Sequence, residues 1–204
     1  MVVISWDQGV DYENVKKDLL QKYKACREKI RKYAYPSKRY QIGLIYTAIL
    51  LTQLVNGSRV IEALEALIKF YETGEKEVDV RVEKSRKERY RTMVIPDIIN
   101  KKDLKAVAYY LERLREEFYQ MKNAEGAKRQ ELRRKIASKI SHFARKHFGI
   151  NTHSLRYAFI THMAKKGVSP QIIARITRHT RLDMLITYTQ EQIAKDLLRE
   201  MAKE

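Results

Sequence analysis

The first third of the chain is dominated by apolar residues at helical spacing. Val15, Leu19, Leu20, Tyr23 and Ile30 recur among charged residues at the steps of an amphipathic helix. A proline follows shortly after, and proline breaks a helix by removing a hydrogen-bond donor. The pattern therefore predicts one long amphipathic helix at the start of the chain.

The next segment is apolar on all sides. Residues 41–58 carry no charge, which predicts a buried helix over about residues 40–55. The run is too short for a membrane span, which needs roughly 20 apolar residues, so we expect no membrane partner. Asn56-Gly57 predicts a turn, and apolar spacing over residues 60–67 predicts another helix. The two helices would meet at Arg59.

Strict alternation then predicts a β-hairpin. Residues 77–84 place three valines on one face and charged residues on the other, and a second extended run, YRTMVIP, closes at Pro96. The turn between the two runs reads SRKER over residues 85–89 and is strongly basic. We expect this turn to reach into a groove of its binding partner.

Helical patterns return after the hairpin. They cover residues 104–119, then a very basic stretch over residues 130–147, then three short pieces. The predicted caps of the short pieces are Asn151 or Thr152, Ser169 before Pro170, and a capping box from Thr180 to Asp183. We find no internal repeat and no linker. The sequence predicts one domain over residues 1–204, mainly α with a small antiparallel β-hairpin.

Charge indicates the partner. The chain has 42 Lys and Arg against 25 Asp and Glu, a net charge of +17. Residues 128–181 hold fourteen of these cations and one acid, Glu131. Solvated helix faces ordinarily mix both signs, so this segment favours binding to the phosphates of a polyanion such as DNA. The residues predicted to contact DNA are Arg86, Lys87, Arg89, Arg133, Arg134, Lys139, Arg178 and Arg181.

Cysteine and motif content narrow the setting. The single cysteine, Cys26, and the absence of a signal-peptide pattern favour a reducing, cytoplasmic location on DNA. The sequence contains no GxxxxGK[ST], GxGxxG or HExxH motif. We therefore expect no ATP, no metal and no other cofactor.

A His-x-x-Arg pair puts an imidazole and a guanidinium on one helical face, where both can bind the same phosphate. It occurs twice, at His142 with Arg145 and at His153 with Arg156. Only the second pair belongs to a longer set that continues with His179 and Tyr188.

Three blocks resemble the tyrosine recombinases, the phage-type or Xer-type integrases. NTHSLRYAFITHMAKKGVSPQIIARITRHTRLDMLITYTQ is similar to the closing block of that family. NGSRVIEAL is similar to its first arginine box, and VRVEKSRKER to its β-hairpin lysine segment. The blocks occur in the family's order. One departure is Arg178, where the family usually has glycine.

The resemblance implies the catalytic-domain fold of that family and a set of roles. Tyr188 would attack a DNA phosphodiester, while Arg59 and Arg156 would hold the non-bridging oxygens. Lys84 would protonate the leaving 5′ oxygen, with Lys87 of the same turn as the alternative. Three further residues would assist: His153 in proton transfer at the tyrosine, His179 by a hydrogen bond to the phosphate, and Glu62 by orienting Arg59.

The function implied is site-specific DNA recombination for integration or excision of a mobile element. Relaxation of DNA in the manner of a type IB topoisomerase is one alternative, and a non-catalytic basic DNA-binding module is another. We expect four copies to assemble on paired DNA sites from a monomer in solution. The family's N-terminal DNA-clamping domain is expected to be absent, and residues 190–204 to dock on a neighbouring protomer or on their own domain.

Overall fold

The computed structural model describes residues 10–83 and 89–178, together with residues 194, 198, 199, 201 and 202. Within the two long ranges the prediction of a mainly helical chain with one antiparallel hairpin is confirmed. The elements are α1 (Tyr12–Lys32), α2 (Lys38–Asn56), α3 (Val60–Thr73), β1 (Glu77–Arg81), β2 (Tyr90–Val94), α4 (Lys101–Lys105), α5 (Ala108–Asn123), α6 (Gly126–Phe148), α7 (Thr152–Lys165) and α8 (Pro170–Thr177).

Helix α1 packs an apolar stripe against α2. Asp11 caps its start by accepting a hydrogen bond from the Asn14 amide at 2.8 Å. The buried stripe contains Tyr12, Val15, Leu19, Tyr23, Cys26 and Ile30. The amphipathic helix predicted from spacing is therefore confirmed.

Helix α2 lies at the centre of the core. It contacts α1, α3, α5, α6, α7 and β2, and nearly all of its side chains from Gly43 onward are buried. The predicted buried helix is confirmed. Among the described residues, no single helix is long and apolar enough to cross a membrane, and α2 with α3 meets that test only as a pair bent by 112°.

The turn after α2 requires glycine. Gly57 has a φ of 53°, the left-handed conformation that ends the helix. A Cβ at this position would lie 2.3 Å from the ring of Phe159, because α7 packs directly on the turn. The predicted Asn56-Gly57 turn therefore fixes both the direction of α3 and the close approach of α7.

The hairpin is anchored to the end of α2. Val78, Val80 and Met93 are buried on its inner face. The Asn56 side chain accepts a hydrogen bond from the Val94 amide at 2.9 Å and donates to the Val94 carbonyl at 2.8 Å. The hairpin is thus held beside the turn that carries Arg59.

The single helix predicted over residues 104–119 is wrong. The chain forms two helices, α4 and α5, separated by Ala106 and Val107. Asp103 is buried and accepts hydrogen bonds from the Tyr23 hydroxyl at 3.3 Å and from Arg31 at 2.9 Å, both on α1. These long-range contacts fix α4 against α1, and local spacing does not reveal them.

The remaining helices follow their predicted signals. Helix α6 contains the basic stretch and extends beyond it at its N-terminal end. Asn151 caps α7 by accepting from the Ser154 amide at 2.9 Å, and Ser169 caps α8 ahead of Pro170. The capping box predicted from Thr180 to Asp183 lies outside the described residues.

Candidate active site

Arg59 stands at the start of α3 and faces the hairpin. It is the N-cap residue of the helix, and its Nη1 donates to Glu62 Oε1 at 3.2 Å and to the Glu83 carbonyl at 3.0 Å. A quarter of the side chain, 26%, is exposed. The guanidinium is therefore fixed by two acceptors and still accessible from solvent.

The Glu62 carboxylate is the centre of this network. It is 1% exposed. Oε1 accepts from the Glu83 amide at 3.0 Å as well as from Arg59, and Oε2 accepts from the Arg59 amide at 3.2 Å and from Arg91 Nη1 at 3.4 Å. One buried carboxylate thus joins the first turn of α3 to the segment after β1 and to β2, on the two sides of the hairpin. The predicted contact between Glu62 and Arg59 is present.

Arg156 reaches the same region from α7. It is 2% exposed, and its Nη1 donates to the Gly57 carbonyl at 2.9 Å, ninety-nine positions away in the chain. Its Nη2 donates to the Thr177 carbonyl at 2.8 Å. Helices α7 and α8 are therefore joined to the turn that leads into Arg59.

Arg91 is a site residue that the sequence analysis missed. It lies on β2, is 4% exposed, and donates from Nη2 to the Asn56 carbonyl at 2.6 Å. The signal that marks it is the period of the strand, because Arg91, Met93 and Ile95 all point to the buried face. A charge at such a position requires an acid or carbonyl partner.

The cations of this cluster perturb one another. Burial lowers the pKa of Arg156 to about 10, and the charges of Arg59 and Arg91 lower it while Glu62 raises it. Burial also lowers the pKa of Arg91; Glu62 raises it, and Arg178 and Arg59 lower it. Arg59 and Arg91 thus bond to one buried carboxylate and Arg156 lies within range of its charge, an excess of cations that favours an added anion.

The two His-x-x-Arg pairs differ in environment. His153 lies exposed in the first turn of α7, edge-on to Tyr157 at a ring distance of 4.8 Å, while Arg156 is buried in the cluster. His142 and Arg145 are both exposed on α6. Of the two arginines, only Arg156, from the pair selected in the sequence analysis, lies in the region of Arg59.

Six predicted residues lie outside the described residues: Lys84, Arg86, Lys87, His179, Arg181 and Tyr188. Two described residues near them in the sequence, Glu83 and Thr177, belong to the network. Glu83, which precedes Lys84, bonds to both Arg59 and Glu62. Thr177, two positions before His179, accepts from Arg156.

The described residues predicted to contact DNA fall into two groups. Arg89 and Arg134 are exposed. The others already bond within the chain: Arg133 to the Glu83 carboxylate, Lys139 to the Glu117 carboxylate at 2.7 Å, and Arg178 to the Tyr90 carbonyl at 3.2 Å. Any DNA contact by this second group would have to share or replace those bonds.

A cleft of about 460 Å³ opens between α3, the hairpin and α6. Glu62 and Glu83 line it together with three arginines of α6, Arg129, Arg133 and Arg134. In the part of the chain that the structure describes, no three His, Cys, Asp or Glu side chains are grouped as metal ligands. Arg81, Lys122, Gln130 and a third carboxylate, Glu65, complete the polar lining of the cleft.

Comparison with known proteins identifies the family. Residues 16–195 match the model of the phage integrase family. The chain belongs to the phage integrase family. The resemblance to tyrosine recombinases, drawn above from three short blocks, is confirmed at this level, and the chain covers a catalytic domain of the family.

Relatives of this integrase-family chain come from viruses and an archaeon. ORF241 of the Acidianus two-tailed virus, a predicted integrase, is 37% identical over 97% of this chain and 69% of its own length. An uncharacterized protein of Methanocaldococcus jannaschii is 30% identical over 97% of this chain and 89% of its own. V10 of the Sputnik virophage, also a predicted integrase, is 28% identical over 96% of this chain and 90% of its own.

A solved structure is similar in outline. The XerH site-specific recombinase, in a post-cleavage complex with a palindromic difH substrate, is 19% identical with a TM-score of 0.47. The match covers 97% of this chain and 53% of XerH, so the chain spans about half the length of that recombinase.

Proposed function

We propose that this chain is the catalytic domain of a site-specific DNA recombinase that cuts and rejoins strands through a 3′-phosphotyrosine intermediate. One observation carries the proposal. Arg156 bonds to the Gly57 carbonyl and thereby lies beside Arg59, although the two arginines are far apart in the sequence. Two planar, permanently charged forks at one place suit the non-bridging oxygens of a phosphodiester.

The reaction follows from the residue types. The Tyr188 oxygen attacks the phosphorus, a bond forms to the 3′ phosphate, and the bond to the 5′ oxygen breaks. That oxygen takes a proton from Lys84 or Lys87 and leaves as a 5′ hydroxyl, while the tyrosine proton passes toward His153. The phosphotyrosine ester retains the bond energy, so a second 5′ hydroxyl can reverse the step. No ATP is required.

The charges of the cluster support transition-state stabilisation. The transferred phosphoryl group gains negative charge in the transition state, and preorganised donors stabilise it without rearranging. Arg59 is fixed by Glu62 and the Glu83 carbonyl, and a quarter of its side chain is accessible. Under this proposal Arg59 and Arg156 bind the two non-bridging oxygens, and His179 donates a further hydrogen bond. Because Arg156 is buried and donates to the Gly57 and Thr177 carbonyls, its contact with the phosphate would share or replace those bonds.

Partners and biological role extend the same proposal. The viral relatives are predicted integrases, and XerH is described on a DNA substrate. We infer that this chain acts on double-stranded DNA to integrate or excise a mobile element, and that four copies assemble on paired sites. We place it on DNA in the cytoplasm. We also propose a single domain over residues 1–204, with a tail at 190–204 that docks on a neighbouring protomer or on its own domain.

Covalent capture tests the proposal. The protein is incubated with fragmented DNA of its source and denatured, DNA attached to protein is isolated and sequenced, and Tyr188→Phe is treated in parallel. Adducts that need Tyr188 and cluster at one sequence are the expected result. Scattered adducts would favour a topoisomerase-like activity. If both proteins bind DNA and neither forms adducts, the chain is a non-catalytic DNA-binding module and the proposal is overturned.

A further inference from the structure

Arg91 is a buried cation that the proposed reaction does not use. It lies on β2 with 4% of its surface exposed and bonds to Glu62 Oε2 at 3.4 Å and to the Asn56 carbonyl at 2.6 Å. Burying a guanidinium is costly unless its partners are well placed. A residue that served only to pack the hairpin would be better replaced by a large apolar side chain.

The partner of Arg91 is the residue that holds Arg59. Glu62 uses Oε1 for the Arg59 guanidinium and the Glu83 amide, at 3.2 and 3.0 Å. Its Oε2 accepts from Arg91 and from the Arg59 amide. Arg91 therefore fixes the carboxylate in the orientation that turns Oε1 toward Arg59 and Glu83.

Arg91 is itself held from a rigid element. The Asn56 carbonyl belongs to the last residue of α2, and the Asn56 side chain bonds to both backbone groups of Val94 on the same strand as Arg91. The planar fork of Arg91 spans from this helix end to Glu62. A lysine is a point charge and lacks this rigid two-armed fork.

We propose that Arg91 is a positioning residue of the active site, an inference that rests on the proposed function. By locking Glu62 between α2 and the hairpin, it presets the Arg59 guanidinium and the Glu83 backbone, which leads directly into Lys84. Catalytic groups held by such a supporting contact need no rearrangement when the phosphate binds. Misplacement of about 1 Å can cost roughly a hundredfold in rate.

The competing explanation is that Arg91 only docks the hairpin onto α2. Asn56→Ala supplies a control, because it removes the two side-chain bonds to Val94, together with the bond to the Thr52 carbonyl within α2, and does not itself remove either partner of the contact between Arg91 and Glu62. Comparing the Arg91 and Asn56 variants therefore separates the effect of weaker hairpin docking from the effect of a misplaced Glu62 carboxylate.

The experiment measures DNA affinity, the single-turnover cleavage rate at saturating DNA, and thermal stability. The variants are Arg91→Met, Arg91→Lys, Glu62→Gln and Asn56→Ala, with the double variants that combine Arg91→Met with each of the other two sites. Glu62→Asp replaces Glu62→Gln where the latter does not fold. We expect Arg91→Met to slow cleavage by roughly 30- to 100-fold with a Kd change of less than about threefold. Arg91→Lys should recover part of the rate.

The double variants decide between the explanations. If Arg91 acts through Glu62, Arg91→Met will add little to the slow cleavage of the Glu62 variant. In the double variant with Asn56→Ala, by contrast, the fold-losses in cleavage rate caused by the two substitutions will multiply. Multiplication with the Glu62 variant, or a rate loss that follows thermal stability in every variant, would overturn the inference.

A measurement without DNA keeps this inference separate from the proposed function. The NMR signal of the Arg59 Nε–Hε group is compared between the wild-type protein and Arg91→Met, and we expect it to shift and broaden. If wild-type protein cleaves no DNA but this signal responds, the proposed function fails and the positioning of Arg59 by Arg91 stands. If DNA is cleaved and the signal is unchanged, the positioning inference fails.

Discussion

Arg156 donates from Nη2 to the Thr177 carbonyl at 2.8 Å and so ties α7 to the last residue of α8. Its Nη1 holds the Gly57 carbonyl at 2.9 Å. One buried guanidinium thereby fixes the turn before Arg59 and the segment that runs into His179. The residue proposed to bind phosphate is also the residue that assembles the site.

Arg156→Ala tests this double role. We expect the cleavage rate at saturating DNA to fall by about 10²- to 10³-fold, because the substitution removes a contact that strengthens in the transition state. It also removes the bonds that hold the Gly57 and Thr177 carbonyls. The Kd for DNA should change far less, since other cations supply most of the affinity. Single-turnover cleavage and fluorescence anisotropy provide the two values.

Arg145→Ala is the matched control for that substitution. Arg145 belongs to the other His-x-x-Arg pair but is exposed on α6. The Arg145→Ala variant should bind DNA only slightly more weakly than the wild-type protein and cleave it at the same rate. If the two substitutions weaken DNA binding equally and neither changes the cleavage rate, Arg156 only binds phosphate and does not act in cleavage.

Arg178 carries backbone strain where the family usually has glycine. Among the described residues it is the one non-glycine with a positive φ, 56°, at the end of α8. A left-handed conformation costs a residue with a Cβ about 1–2 kcal/mol, and glycine's greater freedom in the unfolded chain offsets part of the gain. We expect Arg178→Gly to raise the free energy of unfolding by about 0.5–1 kcal/mol in urea denaturation.

Arg178→Ala separates strain from charge. Alanine keeps the Cβ, so it should give no comparable stabilisation. The charge of Arg178 also lowers the pKa of Arg91. Stabilisation of the same size by alanine and glycine would therefore point to relief of this repulsion and contradict the strain account.

We expect a stacked pair of rings outside the site to make the stability of the protein depend on pH. His162 stacks on Tyr12 with ring centroids 4.1 Å apart. Burial lowers the pKa of His162 from its ordinary value of 6.5, Lys166 and Lys16 lower it further, and the acids Glu13 and Asp11 raise it. The unfolded chain therefore binds a proton at a higher pH than the folded protein does.

The sign of the effect follows from that difference. Stability contributed by neutral His162 is complete above pH 6.5 and is lost as the pH falls toward the lowered pKa. His162→Phe keeps a ring on Tyr12 but cannot titrate. Urea denaturation at pH 7.5 and pH 5.5 should show a smaller acid loss in the variant, the difference being at most about 1.4 kcal/mol per pH unit. Equal losses in both proteins would contradict the prediction.

Most of the fold could be predicted because its signals are local. The stripe of α1, the uncharged α2, the alternation of the strands and the caps at Asn151 and Ser169 each depend on residues a few positions apart. The break between α4 and α5 could not, because it depends on Asp103 reaching Tyr23 and Arg31 on α1. Such a contact leaves no periodic trace in the sequence.

The candidate site divides in the same way. Arg59, Glu62 and Arg156 were selected by motif order, and the structure brings them together, while their catalytic roles stay predictions. Arg91 was missed because a lone arginine in an alternating strand is one of many basic residues beside a basic turn. Arg91 stands out only in the structure, where it bonds to both Glu62 and the Asn56 carbonyl at the end of α2.

Covalent attachment of Tyr188 to DNA is the step on which the proposed function depends. After reaction with cleavable DNA, nuclease and protease digestion followed by peptide mass spectrometry identifies the modified residue among the 13 tyrosines of the chain. We expect a nucleotide joined through its 3′ phosphate to the peptide that contains Tyr188, and none in Tyr188→Phe. A nucleotide on any other residue, or an adduct that survives Tyr188→Phe, would contradict it.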